Sequence, residues 1–147
     1  MAHKKPSNQI IIQNRKAYHD YTMREKIEAG MVLEGWEVKA IKANRGQIQD
    51  SYVNVKNNAC WLIGAHITPL ETTSAYTKPD PKRARKLLLH KKEIDKLYGM
   101  QKTKGLTIVP LRMYPIKGRI KLEIALAAGK KQHDKRQAEK ERDWKKE

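Results

Sequence analysis

The sequence predicts a mainly β fold: a closed or nearly closed antiparallel barrel of OB type, with two or three flanking helices and a basic C-terminal tail. Three observations carry this reading. About six segments alternate apolar and polar residues with period two. Helical spacing is confined to two or three short stretches. Apolar residues make up 39% of a 147-residue chain that lacks phenylalanine, enough for one core. An OB barrel is a frequent nucleic-acid platform at this size, and another small barrel fits the strand pattern as well.

The elements follow in order. Residues 1–8 are polar and basic and are expected to be flexible. Ile10, Ile11 and Ile12 are β-branched and read as a short buried strand. Next, Tyr21, Met23, Ile27, Ala29, Met31 and Leu33 occupy odd positions, while Thr22, Arg24, Lys26, Glu28 and Glu34 occupy even ones. That alternation predicts a long antiparallel strand with one wet face, and Gly30 predicts a bulge or bend within it. Trp36, Ala40 and Ala43, with Val38 and Ile41, have a three-to-four spacing, predicting a short helix that ends near Asn44.

Ser51 to Val55 and Ala59 to Ile67 form the clearest hairpin, turned by Asn57-Asn58, because Asn tolerates left-handed backbone angles. Trp61, Ile63, Ala65 and Ile67 are expected on one face, and Pro69 ends the strand. Residues 70–82 carry no period and read as a loop. Leu87, Leu88, Ile94, Leu97 and Tyr98 share a helical stripe, with Gly99 as the expected stop. That helix opens either at Asp80-Pro81 or near His90. Leu106 to Tyr114 and Arg119 to Ala127 are the last strands, joined by a turn at Pro115 to Gly118. Pro110 must then sit at an edge or bulge. The chain therefore divides into a flexible segment 1–8, a barrel over 9–128, and a tail over 129–147 with too little apolar material to bury. The tail is free of Pro and rich in helix formers, so it is expected to fold on contact with a polyanion.

Charge sets the partner class. There are 32 Lys and Arg against 16 Asp and Glu, a formal net charge of +16, which attracts polyanions. No stretch approaches the roughly 20 apolar residues of a membrane span, and the basic stretches lack the broad apolar face of a surface-lying helix. One cysteine, Cys60, allows neither an internal disulfide nor a multi-Cys zinc site. The start of the chain has no apolar signal region, which makes the cytoplasm the expected compartment. No phosphate-cradling glycine loop and no metal spacing occur, so neither metal nor cofactor is expected. His19-Asp20 and His133-Asp134 are sequence neighbours, an arrangement that rarely orients an acid and a base. The enzyme reading shrinks to a ribonuclease built from His and Lys.

The binding candidates are basic. From Lys78 to Lys104 there are ten Lys or Arg against Asp80, Glu93 and Asp95, a phosphate-tracking surface or else a solvated helix face. Lys130-Lys131-Gln132-His133-Asp134-Lys135-Arg136 combines cations with groups that stack on or bond to bases. Tyr18, His19, Tyr52 and Tyr76 lie near basic residues and could stack on bases, while the register of Tyr21 turns it toward the core.

Several segments, in order, are more specific than any of these. They are Asn14-Arg15-Lys16-Ala17, Glu28-Ala29-Gly30, Gly35-Trp36-Glu37-Val38-Lys39, Asp50-Ser51-Tyr52-Val53 and Ile67-Thr68-Pro69. The series continues through Asp80 to Leu89, Leu97-Tyr98-Gly99, Val109-Pro110-Leu111 and Gly129 to Arg136. Together they resemble the SsrA-binding protein family, also called small protein B, the bacterial partner of transfer-messenger RNA. The resemblance implies an OB-like barrel that binds the tRNA-like domain of that RNA, at positions matching Asn14, Glu28 and Leu88. Arg15, Lys16, Tyr18, His19, Arg83, Arg85 and Lys86 complete the expected RNA surface. It further implies an adapter, not an enzyme, that delivers the RNA with elongation factor Tu to stalled ribosomes. Lys130 to Arg136 and Trp144 would occupy the small-subunit decoding centre and the empty mRNA channel. Neither DNA nor membrane is an implied partner. Two departures stand out: Leu70 replaces a frequent aromatic, and the chain ends at Glu147, where family tails usually run on by roughly one to three helical turns. A shortened tail would leave RNA binding intact while ribosomal accommodation fails.

Overall fold

The computed structural model describes residues 10–129. The expectations for residues 1–8 and 130–147 lie outside them. The two longest strands, β2 (Tyr21–Met31) and β9 (Arg119–Gly129), pair antiparallel from Tyr21 opposite Gly129 to Gly30 opposite Lys121. Here β-numbers follow chain order, with β1 the two-residue strand Ile12–Gln13. Lys117 and Gly118, at φ 49° and 79°, turn β9 back onto β8 (Thr107–Ile116). A two-residue turn of this type matches the twist of the strands it joins.

From β8 the sheet passes to β4 (Tyr52–Lys56) through Val53 and Ile108. It continues to β5 (Ala59–Ile63), to β7 (Arg85–Leu88) and back to β2. The circuit β2–β9–β8–β4–β5–β7 thus returns to its own start, which leaves few unpaired strand edges. A small separate ribbon pairs β3 (Gly46–Gln47) with β6 (His66–Ile67). The helices are α1 (Arg15–Asp20), α2 (Gly35–Lys42) and α3 (Lys91–Lys104).

Inside the circuit, Ala29, Val53, Leu62, Ile108, Leu122 and Ile124 are wholly enclosed, as alternation predicts. A second, smaller core lies on the outer side, where Ala17 of α1 packs on Val109, Leu111, Ala125 and Ala127. Two alanines on β9 let the helix approach closely, so β9 is buried on both faces from Leu122 to Ala127.

The structure departs from the sequence reading in several places. The bulge in β2 falls between Met23 and Glu25, not at Gly30. Gly30 is flat and paired on both sides; a Cβ there would meet the Cβ of Leu88 at 3.2 Å. Leu87 and Leu88 belong to strand β7, so they are not on the helix, and α3 starts after His90. Gly99 lies inside α3, which ends instead at Gly105 in the left-handed region, φ 64°. On β5, Cys60 and Leu62 face the core, while Trp61 and Ile63 are half-buried on the other side. Gly64, at φ 86°, breaks the period, and Ala65 and Ile67 come back into the core. The expectation for Pro110 holds: the β8 register shifts between Pro110 and Arg112.

Candidate RNA interface

Most of the expected surface residues gather on the outer side of β2, β9 and β8 and on the helix that covers one end of it. Asn14 caps α1. Its side-chain oxygen accepts from Ala17 N at 3.2 Å, and its amide donates to the Pro110 carbonyl at 2.9 Å. That side chain is enclosed, and its three backbone partners tie α1 to β8 and to Ile48. Next to it Arg15 is exposed, and Lys16 Nζ lies 2.6 Å from Asp50 Oδ1, which holds the ammonium above its ordinary pKa. Tyr18 sits under Lys26, 5.4 Å from the ring centre, and its hydroxyl accepts from Arg112 Nη2 at 3.2 Å. His19 Nδ1 is 2.9 Å from Asp20 Oδ1, so these sequence neighbours are in contact.

A row of charge crosses the three strands. Glu28 on β2 stands opposite Glu123 on β9, which stands opposite Arg112 on β8. Two carboxylates in register repel. Arg112 Nε lies 2.9 Å from Glu123 Oε1, and the Tyr114 hydroxyl donates to Glu28 Oε1 at 2.6 Å, which offsets that repulsion. Burial, and then this bond to Glu28, push the Tyr114 hydroxyl well above its ordinary pKa, so it stays a donor. Glu28 keeps its second oxygen available to accept from a base edge.

Glu28 also lines an open groove between β2 and the start of α3. Leu88, 53% exposed, rises from the groove above Gly30, and Glu25, Lys26, His90, Glu93 and Lys121 also line it. Lys86 lies two residues along β7 from Leu88, so it projects from the same outward face, opposite Trp61. Of the groove's three carboxylates, Glu25 is paired with Lys96 and Glu28 is oriented by Tyr114, and with the apolar floor and the lysines they can receive a base and its phosphates together.

Arg85 is not at the surface as expected, and Arg83 reaches the same carboxylate, Glu37, while staying part-exposed. Arg85 is wholly buried, with Nε 2.6 Å from Glu37 Oε2, and it donates to the carbonyls of Ala65 and Pro81 at 3.0 Å each. Arg83 bonds to the other Glu37 oxygen. Burial alone would raise the Glu37 pKa, but the hydrogen bonds from Arg83, Glu34 N and Arg85 outweigh it and hold the carboxyl below its ordinary value. These guanidiniums brace α2 against the strand β7; Arg85 is wholly enclosed, while the Arg83 side chain stays 29% exposed.

Lys26, Lys121, Arg112, Tyr114 and Glu123 were not expected from the sequence. Strict alternation from Ile108 places residues 112 and 114 inward. The bulge around Leu111 reverses the phase, so Met113 enters the core and Arg112 and Tyr114 turn outward. Among the described residues no His, Cys, Asp and Glu cluster could hold a metal, and no helix is long and apolar enough to cross a membrane.

The family model described as SmpB protein matches residues 11–147. An SsrA-binding protein of Thiobacillus denitrificans is 61% identical over 137 residues, 93% of this chain and 92% of the relative. One from Coxiella burnetii is 54% identical over 144 residues, 98% of this chain and 91% of the relative. A solved chain from a structure described as "tmRNA-SmpB: a journey to the center of the bacterial ribosome" superposes with a TM-score of 0.68. It shares 42% identity over 82% of this chain and 85% of that one.

Proposed function

The chain belongs to the SmpB protein family, and we propose that it binds the tRNA-like domain of transfer-messenger RNA and helps bring it to stalled ribosomes. The observation that carries this is the meeting of Glu28 and Leu88. Sixty residues apart in sequence, they share one groove with Lys26 and Lys121. The names of the relatives supply the RNA.

In this reading the groove receives a base edge at Glu28 and stacks sugar or base on Leu88, while Lys26, Lys86 and Lys121 take phosphates. Arg15, Lys16, Tyr18 and His19 extend the surface along α1. Asn14 contributes through the helix it caps, and Tyr114 through the carboxylate it orients. Lys130 to Arg136 and Trp144 enter the decoding centre and empty mRNA channel, with elongation factor Tu carrying the aminoacylated RNA. An mRNA-filled channel would exclude that tail, which gives selectivity for stalled ribosomes. The protein acts by binding, in the cytoplasm, with no bond made or broken.

Competition between the tRNA-like domain, ordinary tRNA and unstructured RNA across a salt series tests this. Preference for the tRNA-like domain should persist at high salt and vanish in Glu28→Ala. Equal binding of all three, released together as salt rises with about 0.7 to 0.9 in slope per phosphate, would reduce the protein to a generic basic RNA binder.

A further inference from the structure

The bond from Tyr114 to Glu28 spans two strand spacings. Tyr114 stands on β8 and Glu28 on β2, and β9 runs between them. The residue in the way is Glu123 on β9, which lies directly opposite Glu28 and diagonal to Tyr114. Diagonal neighbours are within reach of an aromatic side chain. Burial and Glu28 lead in holding the proton on Tyr114, and Glu123 adds to them, so its charge is felt at the same hydroxyl. An ionised carboxylate is also the stronger kind of acceptor. The hydroxyl nevertheless passes Glu123 and donates to Glu28 at 2.6 Å.

Arg112 accounts for that choice. Its Nε lies 2.9 Å from Glu123 Oε1, and its Nη2 donates to the Tyr18 hydroxyl on α1 at 3.2 Å. The guanidinium thus engages Glu123 from the β8 side and is itself fixed by α1. Its side chain is 19% exposed and that of Glu123 7%, so water and salt screen the pair little. A planar fork can face both neighbours at once, whereas the single point charge of a lysine faces one. Arg112 does not line the β2–α3 groove.

We propose that Arg112 is a positioning residue for RNA recognition: by holding Glu123 it leaves the Tyr114 hydroxyl to Glu28, and so fixes the carboxylate oxygen that a base edge meets. This rests on the reading of the groove as the RNA site and adds a residue outside its lining. Tyr18 belongs to the same device, because its hydroxyl anchors the free end of the fork. Without Arg112, two carboxylates compete for one hydroxyl, and Glu28 loses its orientation wherever Glu123 wins.

The test measures binding of the full chain to the tRNA-like domain and to an unstructured RNA of equal length. Arg112→Gln should weaken the tRNA-like domain about fivefold and leave the unstructured RNA within about twofold. Adding Glu123→Ala removes the competitor and should restore the lost affinity, with the salt dependence of the unmodified protein. On a Tyr114→Phe background Arg112→Gln should cost nothing further, because no hydroxyl is left to assign. A direct phosphate contact by Arg112 predicts the opposite: no restoration by Glu123→Ala, full additivity with Tyr114→Phe, and a salt slope lower by about 0.7 to 0.9. Any of these three results overturns the inference. Urea unfolding of each variant runs alongside. If Arg112→Gln does not fold, the comparison passes to Arg112→Gln with Glu123→Ala, which removes both charges of the pair. That variant should bind like the unmodified protein, and a fivefold loss in it overturns the inference. If Glu28→Ala leaves the preference for the tRNA-like domain intact, the groove reading falls and the inference with it. A silent Arg112→Gln beside an effective Glu28→Ala sinks the inference alone.

Discussion

Arg85 and Glu37 form a fully enclosed ion pair, Nε to Oε2 2.6 Å, that joins strand β7 to helix α2. Arg83 shares the same carboxylate, and the Glu34 amide donates to it at 2.7 Å. A charge removed from water is stable only when its partners are complete.

Glu37→Gln should therefore lower stability by roughly 3–5 kcal/mol, because it leaves the Arg85 guanidinium buried without its counter-charge. Urea unfolding measures this. Since the folded Glu37 pKa lies below its ordinary value of 4.5, the stability it contributes is fully present above that pH. It is lost as pH falls through the lower folded value. The gap between unmodified protein and variant should accordingly be constant near neutral pH and narrow below about pH 4.5. A gap that widens in acid would contradict the assignment.

Leu88→Ala should leave the fold intact, because the side chain is 53% exposed, yet weaken the tRNA-like domain about tenfold or more. Circular dichroism with a binding titration separates the two effects. Unaltered affinity would move the RNA out of the β2–α3 groove.

Tyr114→Phe removes the hydroxyl that donates to Glu28 at 2.6 Å and changes little else. A stability loss of about 1 kcal/mol is expected. If Glu28 needs orienting, the same change weakens the tRNA-like domain, and it should add nothing to a Glu28→Ala background. Full additivity of the two in a double-mutant cycle would show that the contact has no part in binding.

Asn14→Ala should cost about 1–2 kcal/mol through loss of the α1 cap. Asn14→Ser restores a cap acceptor without the amide bond to Pro110, and should recover part of the stability and of the RNA affinity together. Recovery of stability with no recovery of affinity would point to direct contact with RNA.

Much of this was legible in the residues because it depends on local periodicity. The alternation through β2 and β9 located the longest strands, and Asn57-Asn58, at φ 51° and 60°, located the hairpin turn. The net charge of +16 set the partner class, and the ordered motifs set the family. What stayed hidden depends on contacts distant in sequence. Arg85 reads as a surface cation until Glu37, 48 positions away, arrives to neutralise it. Leu87-Leu88 fits a helical stripe until pairing with β2 and β5 makes it a strand. The bulge around Leu111 reverses which face of β8 is wet, and only then do Arg112 and Tyr114 reach Glu123 and Glu28. Strand periods, turns and charge can be read from the residues alone, because each is settled within a few positions. Tertiary structure decided which charges are buried and which side chains share a groove, because burial and register are settled only when distant strands close on one another.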